Sequence, residues 1–216
     1  MKLKIFIERI LERNNRMMIV YDTPEKKEII SLIRKLRKKR ALFMRTYEAY
    51  QLFTAVRSVA KIDGDIAEVG IAQGSSSRLI CESKGNKHLY LFDTFEGLPK
   101  PDKKDHRRFS EGQYVGSLES VKEYLKEYPN VHFFKGMFPS TVGPVKNKTF
   151  SFVNFDVDLH KSVHACLDFF YPRMNKGGII LSHDYPYAKD IIDDFFKDKP
   201  EPVIELSGNH CIIIKC

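Results

Sequence analysis

The stretch "NFDVDLH" (154–160) sets Asp156, Asp158 and His160 at every second position behind an apolar run. Burying an unpaired carboxylate is costly. Either the strand stops here and the acids meet water, or a cation sits in front of them. Residues i and i+2 of a strand share a face, so Asp156 and Asp158 would point into one space. "LSHDY" (181–185) repeats the pattern, with apolar residues giving way to Asp184. If the two segments are neighbouring strand ends, their carboxylates converge outside a sheet. Converging carboxylates repel unless a cation or a proton intervenes, and a hard divalent ion with oxygen ligands would satisfy them. The plain alternative is a set of acids that cap loops and bind only water.

A second constellation is "EVGIAQGSSS" (68–77). Gly70 and Gly74 allow a tight turn and close approach to a ligand, and Ser75 and Ser76 can cap a following helix. The spacing is G-x-x-x-G, which fails the G-x-G-x-x-G dinucleotide fingerprint. Asp93 ends the next apolar run, 19 positions after Gly74, where an acid can accept hydrogen bonds from ribose hydroxyls. Glu68, inside an apolar run, must face a cleft or own a partner. Together these residues point to a nucleoside cofactor without a pyrophosphate, and S-adenosylmethionine fits.

The elements that would position these residues alternate from Asp65 onward. "DIAEVGI", "HLYLFD", "VHFFKG", "TFSFVNFD" and "GGIILSHD" read as strands separated by helices. "PVIEL" and "HCIIIKC", joined by Ser207-Gly208-Asn209, read as a closing hairpin. The pattern predicts an α/β fold, a doubly wound and mostly parallel sheet with a C-terminal antiparallel hairpin. Asp22-Thr23-Pro24-Glu25 starts a helix carrying Ile29, Ile30, Ile33 and Leu36 inward. A second helix over 46–60 is expected to turn Tyr47, Tyr50, Phe53 and Val56 inward. Ser117 is the expected cap of "SLESVKEYLKEY". The division expected is a basic helical extension over 1–45 and one domain over 46–216.

Residues 1–61 hold 16 Lys/Arg against 6 Asp/Glu, although the whole chain carries +8. The remainder is therefore slightly acidic, which argues against a nucleic-acid substrate. The basic run "RKLRKKR" (34–40) reads as a solvated helix face, with an anionic membrane surface as the second reading. A lid and a homodimer arm also stay open for this segment. The four cysteines show no paired framework, and the charged start argues against a signal peptide. The expectation is a cytoplasmic protein with reduced thiols.

"EVGIAQGSSSRLI", "LYLFDTFEGLP", "FSEGQYVGSLESV", "FFKGMFPST", "FDVDLHKS" and "FFYPRMNKGGIILSHDY" occur here in this order. In that order they resemble segments of the macrocin O-methyltransferase (TylF-like) family, from about Tyr47 to Phe196. The resemblance implies a class I methyltransferase (Rossmann-like) sheet of seven strands, S-adenosylmethionine as donor, a sugar hydroxyl as acceptor and a divalent metal, typically Mg2+. It puts Glu68, Gly70, Ser75 and Asp93 on the cofactor side and Asp156 and Asp184 on the metal side. The family commonly has Asp-Asp-Tyr where this chain has His183-Asp184-Tyr185. His183 as a ligand would shift preference towards Mn2+, iron or zinc, and it can join Asp184 only if the strand has ended.

Methyl transfer from a sulfonium needs no activation of the donor; the difficulty is the protonated acceptor hydroxyl. Asp158 is the first choice of general base and His160 the second. The loop over 100–116 is long enough for a lid. Phe109, Gln113 and Tyr114 are expected to shape an acceptor pocket, and His106, Arg107 and Arg108 to meet an acidic group. The acceptor is expected to be a glycan or glycosylated small molecule. A catechol-like phenol and a cofactor-binding module without turnover are the competing readings.

Overall fold

A computed structural model describes residues 21–216. The first 20 residues, and with them the readings made on the start of the chain, lie outside the described residues.

Seven strands form one sheet in the order β3-β2-β1-β4-β5-β7-β6. They are β1 (Asp65–Val69), β2 (Leu89–Asp93), β3 (Val131–Lys135), β4 (Phe150–Phe155), β5 (Met174–Ser182), β6 (Ile204–Glu205) and β7 (Cys211–Ile214). The first five pair in parallel; β7 runs antiparallel to both β5 and β6. β4 is buried at every position, as an apolar run covered on both faces must be. The order reverses between β1 and β4, so a crevice opens beyond their carboxyl ends.

Among the described residues, six α-helices cover the sheet: α1 (Pro24–Lys39), α2 (Thr46–Ser58), α3 (Ser75–Cys81), α4 (Leu118–Leu125), α5 (His160–Phe170) and α6 (Tyr185–Phe196). Ile29, Ile30, Ile33 and Leu36 of α1 share one core with Leu52, Leu79, Val121 and Phe152. Val163, Leu167, Phe170, Ile192 and Phe196 form the core of the other face. Thr23 and Ser117 cap α1 and α4 as expected. Two local expectations need correction. Gly74, in the left-handed region, is the N-cap of α3, and Ser75 and Ser76 lie inside the helix. The inward face of α2 is Ala49, Leu52, Phe53 and Val56, whereas Tyr47 and Tyr50 are half-buried. Small Ala49 lets α2 lie close to its neighbours; the tyrosine hydroxyls keep those two rings at the edge.

Cys81, Cys166, Cys211 and Cys216 are all free thiols. No helix among the described residues is long and apolar enough to cross a membrane.

The closing strands are tied down by Glu201. Its carboxylate accepts hydrogen bonds from Lys215 Nζ (2.6 Å), Tyr171 Oη (2.8 Å) and Cys216 N (3.2 Å). Burial opposes its charge, and the hydrogen bonds from Lys215 and Tyr171 outweigh burial, holding the carboxyl at about 2. A folded-state value below the unfolded one stabilises above the ordinary carboxyl range and is lost as pH falls through the folded value. Glu201→Gln should therefore cost about 1.5–3 kcal/mol at pH 7, measured by urea unfolding. The gap to wild type should narrow at pH 3; an equal gap at both pH values would contradict this account.

Candidate active site

A cavity of about 270 Å³ opens at the carboxyl ends of the parallel strands. Gly70, Ala72 and Ser75 of the β1–α3 turn form one side, and Asp93, at the end of β2, lies beside them. Asp156 and Asp158, after β4, line another side, with His183 after β5. Backbone hydrogen bonds lace these ends together: Gly70 N to Phe92 O, Asp156 N to Val69 O and His183 N to Phe155 O. Gly70 has φ +83°, and a Cβ there would sit 1.9 Å from the Asp156 carbonyl oxygen. Only glycine permits this approach of β1 to the chain leaving β4.

Asp93 grips the turn, a role the sequence did not suggest. Its Oδ2 accepts from Ile71 N (2.7 Å) and Ala72 N (2.9 Å), and its Oδ1 from Phe95 N (2.6 Å). Two carboxylate oxygens offer about four acceptor positions, so the acid that shapes the turn keeps capacity for a ligand hydroxyl.

Asp156, Asp158 and Asp184 come together, with one oxygen of each within 4.8 Å of the others. The convergence does not follow the strand pleat. β4 ends at Phe155, and Asp158 lies in a turn with φ +61°. Asp184 Oδ2 accepts from Val157 N (2.9 Å), while its Oδ1 is buried without a hydrogen-bond partner. Burial, then Asp156 and Asp158 nearby, push the Asp184 carboxyl well above its usual range. Burial and Asp156 push Asp158 up to about 7. Asp156 alone is shifted downward: burial opposes its charge, but the adjacent His183 outweighs burial.

Three further candidates are held by contacts of their own. His183 stands beside the three carboxylates. Its Nδ1 faces Asp156 Oδ1, a member of the cluster, at 3.3 Å; its Nε2 lies 3.6 Å from Glu48 Oε2 and is buried without a hydrogen-bond partner. His160 begins α5 with its ring outside the cavity lining, and Nε2 meets the Tyr187 carbonyl at 2.9 Å. Its backbone N–H donates to Asp105 Oδ1 at 2.9 Å, pinning the long loop. Glu68 is wholly buried behind the glycine turn, accepting from Ser77 Oγ and from Asn154 Nδ2 (3.1 Å). Burial raises its carboxyl to about 7. It braces β1 against β4 and α3 and does not line the cavity.

The loop beyond β2 folds back on itself through Leu98 and Gln113. Arg108, Gln113 and Tyr114 line the cavity. Phe109 is buried against Tyr187, ring centroids 5.4 Å apart; His106 and Arg107 are exposed outside the lining.

Sequence reasoning missed Glu48, Tyr187 and the wall formed by Ala41, Leu42, Phe43 and Met44. Glu48 is 2% exposed. The available signal was an acid in the first turn of α2 within a half-apolar stretch, where it can reach back to the helix N-terminus.

The profile of the macrocin-O-methyltransferase (TylF) family matches residues 45–206. The chain belongs to this family. A relative described as 8-demethyl-8-(2,3-dimethoxy-alpha-L-rhamnosyl)-tetracenomycin-C 4'-O-methyltransferase, from Streptomyces olivaceus, is 26% identical over 167 residues, 68% of this chain and 64% of that protein. A demethyldecarbamoylnovobiocin O-methyltransferase from Streptomyces niveus is 26% identical over 155 residues, 62% of this chain and 58% of that protein. The chain thus spans about three-fifths of the length of these relatives. The structure of the O-methyltransferase NovP superposes with a TM-score of 0.67 at 23% identity, covering 78% of this chain and 79% of that one. The calicheamicin methyltransferase CalS11 gives 0.68 at 18% identity, covering 90% and 94%. The seven-stranded sheet of this macrocin-O-methyltransferase family member is the class I methyltransferase fold.

Gly70→Ala forces a positive φ on alanine and drives its Cβ into the Asp156 carbonyl. A loss of about 2 kcal/mol or more is expected, read as a melting temperature lower by roughly 4–8 °C. An unchanged melting temperature would mean the two strand ends separate freely.

Proposed function

We propose that the protein is an S-adenosylmethionine-dependent O-methyltransferase whose acceptor is a sugar hydroxyl of a glycosylated small molecule, and that it works with a bound divalent metal. One observation carries the reading: three carboxylates meet at the ends of β4 and β5, beside a cavity whose other side is a glycine turn anchored by an acid. The relative named as a 4'-O-methyltransferase of a rhamnosyl-tetracenomycin supports the acceptor class, and the second relative is likewise named an O-methyltransferase.

The residues present fit a hard cation. The donors are all oxygen, and Asp184 Oδ1 is a buried acceptor with nothing to accept. Asp156 and Asp184 would hold Mg2+ or Mn2+, with Asp158 beside them. Such an ion polarises a bound hydroxyl and eases loss of its proton.

The remaining work falls to the chain. Gly70, Ser75 and Asp93 are the residues that would hold the cofactor, with Asp93 offering an acceptor to a ribose hydroxyl. Gly74 and Glu68 support them by shaping the turn and bracing the strands. Asp158 lines the cavity and would take the acceptor's proton. Tyr114, Gln113 and Arg108 would orient the acceptor. Leu42, Phe43 and Met44 close the cavity from the side of α1, which limits water at the reacting centre. Alignment of acceptor oxygen and donor methyl is then the main source of rate.

The test is methyl transfer from radiolabelled S-adenosylmethionine to sugar nucleotides, glycosylated polyketides and a catechol, with and without EDTA. Transfer to a sugar acceptor should vanish with EDTA and return with Mg2+ or Mn2+. Asp184→Asn should lower kcat by about 10²-fold or more, with cofactor affinity by calorimetry within a few-fold of wild type. Full activity in EDTA would remove the metal from the reading; transfer to the catechol alone would move the acceptor class.

A further inference from the structure

We infer that Arg108 is an anion-binding subsite of the cavity, so that the sugar to be methylated carries a phosphate or a carboxylate. The inference deepens the proposed reading of this cavity as a sugar-acceptor site.

Arg108 is the one Lys or Arg side chain among the described residues of the cavity lining, where Asp93, Asp156 and Asp158 supply the opposite charge. Other arginines are committed to the fold. Arg37, Arg40, Arg78 and Arg173 give guanidinium donors to backbone carbonyls. Arg57 pairs with Glu25, and Arg78 also with Glu82 and Glu127. Among the described residues, the Arg108 guanidinium meets no carboxylate and no carbonyl; its Nη1 donates to the Tyr187 hydroxyl. A guanidinium carries several N–H donors in a fixed fork, so most of them stay available to a ligand.

The side chain is held in place although it is exposed. Its guanidinium carbon lies 5.0 Å from the centre of the Tyr187 ring and 5.5 Å from that of Phe109, where a ring attracts a cation. Phe109 is buried and packs edge-on to Tyr187. The backbone around it is stitched. Arg108 N donates to His106 Nδ1 (3.2 Å), Gln113 Nε2 to the Arg108 carbonyl (3.2 Å) and Ser110 N to Gln113 Oε1 (2.8 Å). A fork fixed in this way matches the paired oxygens of a phosphate or carboxylate, and little freedom is left to lose on binding. The plain alternative is that Arg108 only offsets the charge of the acids, which would act on every acceptor alike. An anion held at Arg108 instead fixes the sugar at a second point, as alignment of one hydroxyl among several requires.

The experiment compares matched sugars on the full chain saturated with S-adenosylhomocysteine and Mg2+. Calorimetry gives affinities for rhamnose 1-phosphate against methyl rhamnoside, and for methyl glucuronide against methyl glucoside. The charged member of at least one pair should bind wild type about 10–100-fold more tightly than its neutral match. Which pair does so separates phosphate from carboxylate. Arg108→Gln should bring that ratio to within about two-fold of unity. Arg108→Lys, which keeps the charge without the fork, should restore part of it. Tyr187→Phe, which removes the hydroxyl that holds Nη1, should lower the ratio less than Arg108→Gln does. Ratios near unity for both pairs in wild type would overturn the subsite, as would a ratio that survives Arg108→Gln because the anion sits on the ion. Equal weakening of charged and neutral sugars in Arg108→Gln would also overturn it, leaving Arg108 as a charge offset. The readout is binding, so a failure of methyl transfer to sugars counts against the proposed reaction and not against the subsite.

Discussion

Like charges brought together beyond the ends of two buried strands are the constraint on which the site depends. Three carboxylates lie within a few ångströms of one another, two of them shifted towards their neutral forms. Such an arrangement persists only if the surrounding structure opposes the repulsion. Part of the opposition is visible. Val157 N–H donates to Asp184, and His183 lies against Asp156. These contacts leave Asp184 Oδ1 without a partner. The unmet demand is for a proton or a cation at one point.

The approach of the strand ends creates that point, and glycine geometry makes the approach possible. Gly70 brings the backbone of β1 against the Asp156 carbonyl, and the same turn is gripped by the Asp93 carboxylate. The glycine turn and the acid cluster therefore share one piece of chain. Glu68 serves the same end from below, joining β1 to β4 through Asn154 and to α3 through Ser77. A residue that never meets the cavity thus decides how firmly its two halves are related.

The alternation of strands and helices, the sheet's mostly parallel character and the closing hairpin were legible because apolar runs and turn residues mark them locally. That Asp156, Asp184, Gly70 and Asp93 stand at or just beyond strand ends was legible, because each closes an apolar run. Side-chain direction was not. Asp158 joins the cluster by a left-handed turn, although pleat alternation was the argument for it. His160 carries the right chemistry, yet a contact distant in sequence, with the Tyr187 carbonyl, aims its ring elsewhere, while His183 lies between Asp156 and Glu48. Glu48 itself lies 135 positions before its histidine, and no local pattern announces such a pair.

The basic run near the N-terminus illustrates the same limit. As sequence, "RKLRKKR" is a charge patch, and Arg34, Lys35 and Lys38 do face solvent. Arg37 and Arg40 do not behave as patch residues. Arg37 donates to the Met44 carbonyl and to Thr46 Oγ1, and Arg40 to the carbonyls of Gln73 and Ser120. Gln73 belongs to the glycine turn. Two arginines of the run thus fasten the chain between α1 and α2 over the cavity, while their neighbours keep their charge in water. The family profile begins only at residue 45, but the wall of the cavity begins at Ala41. The segment ahead of the matched region is therefore part of the site's enclosure, and a chain cut at the family boundary would lose one side of it.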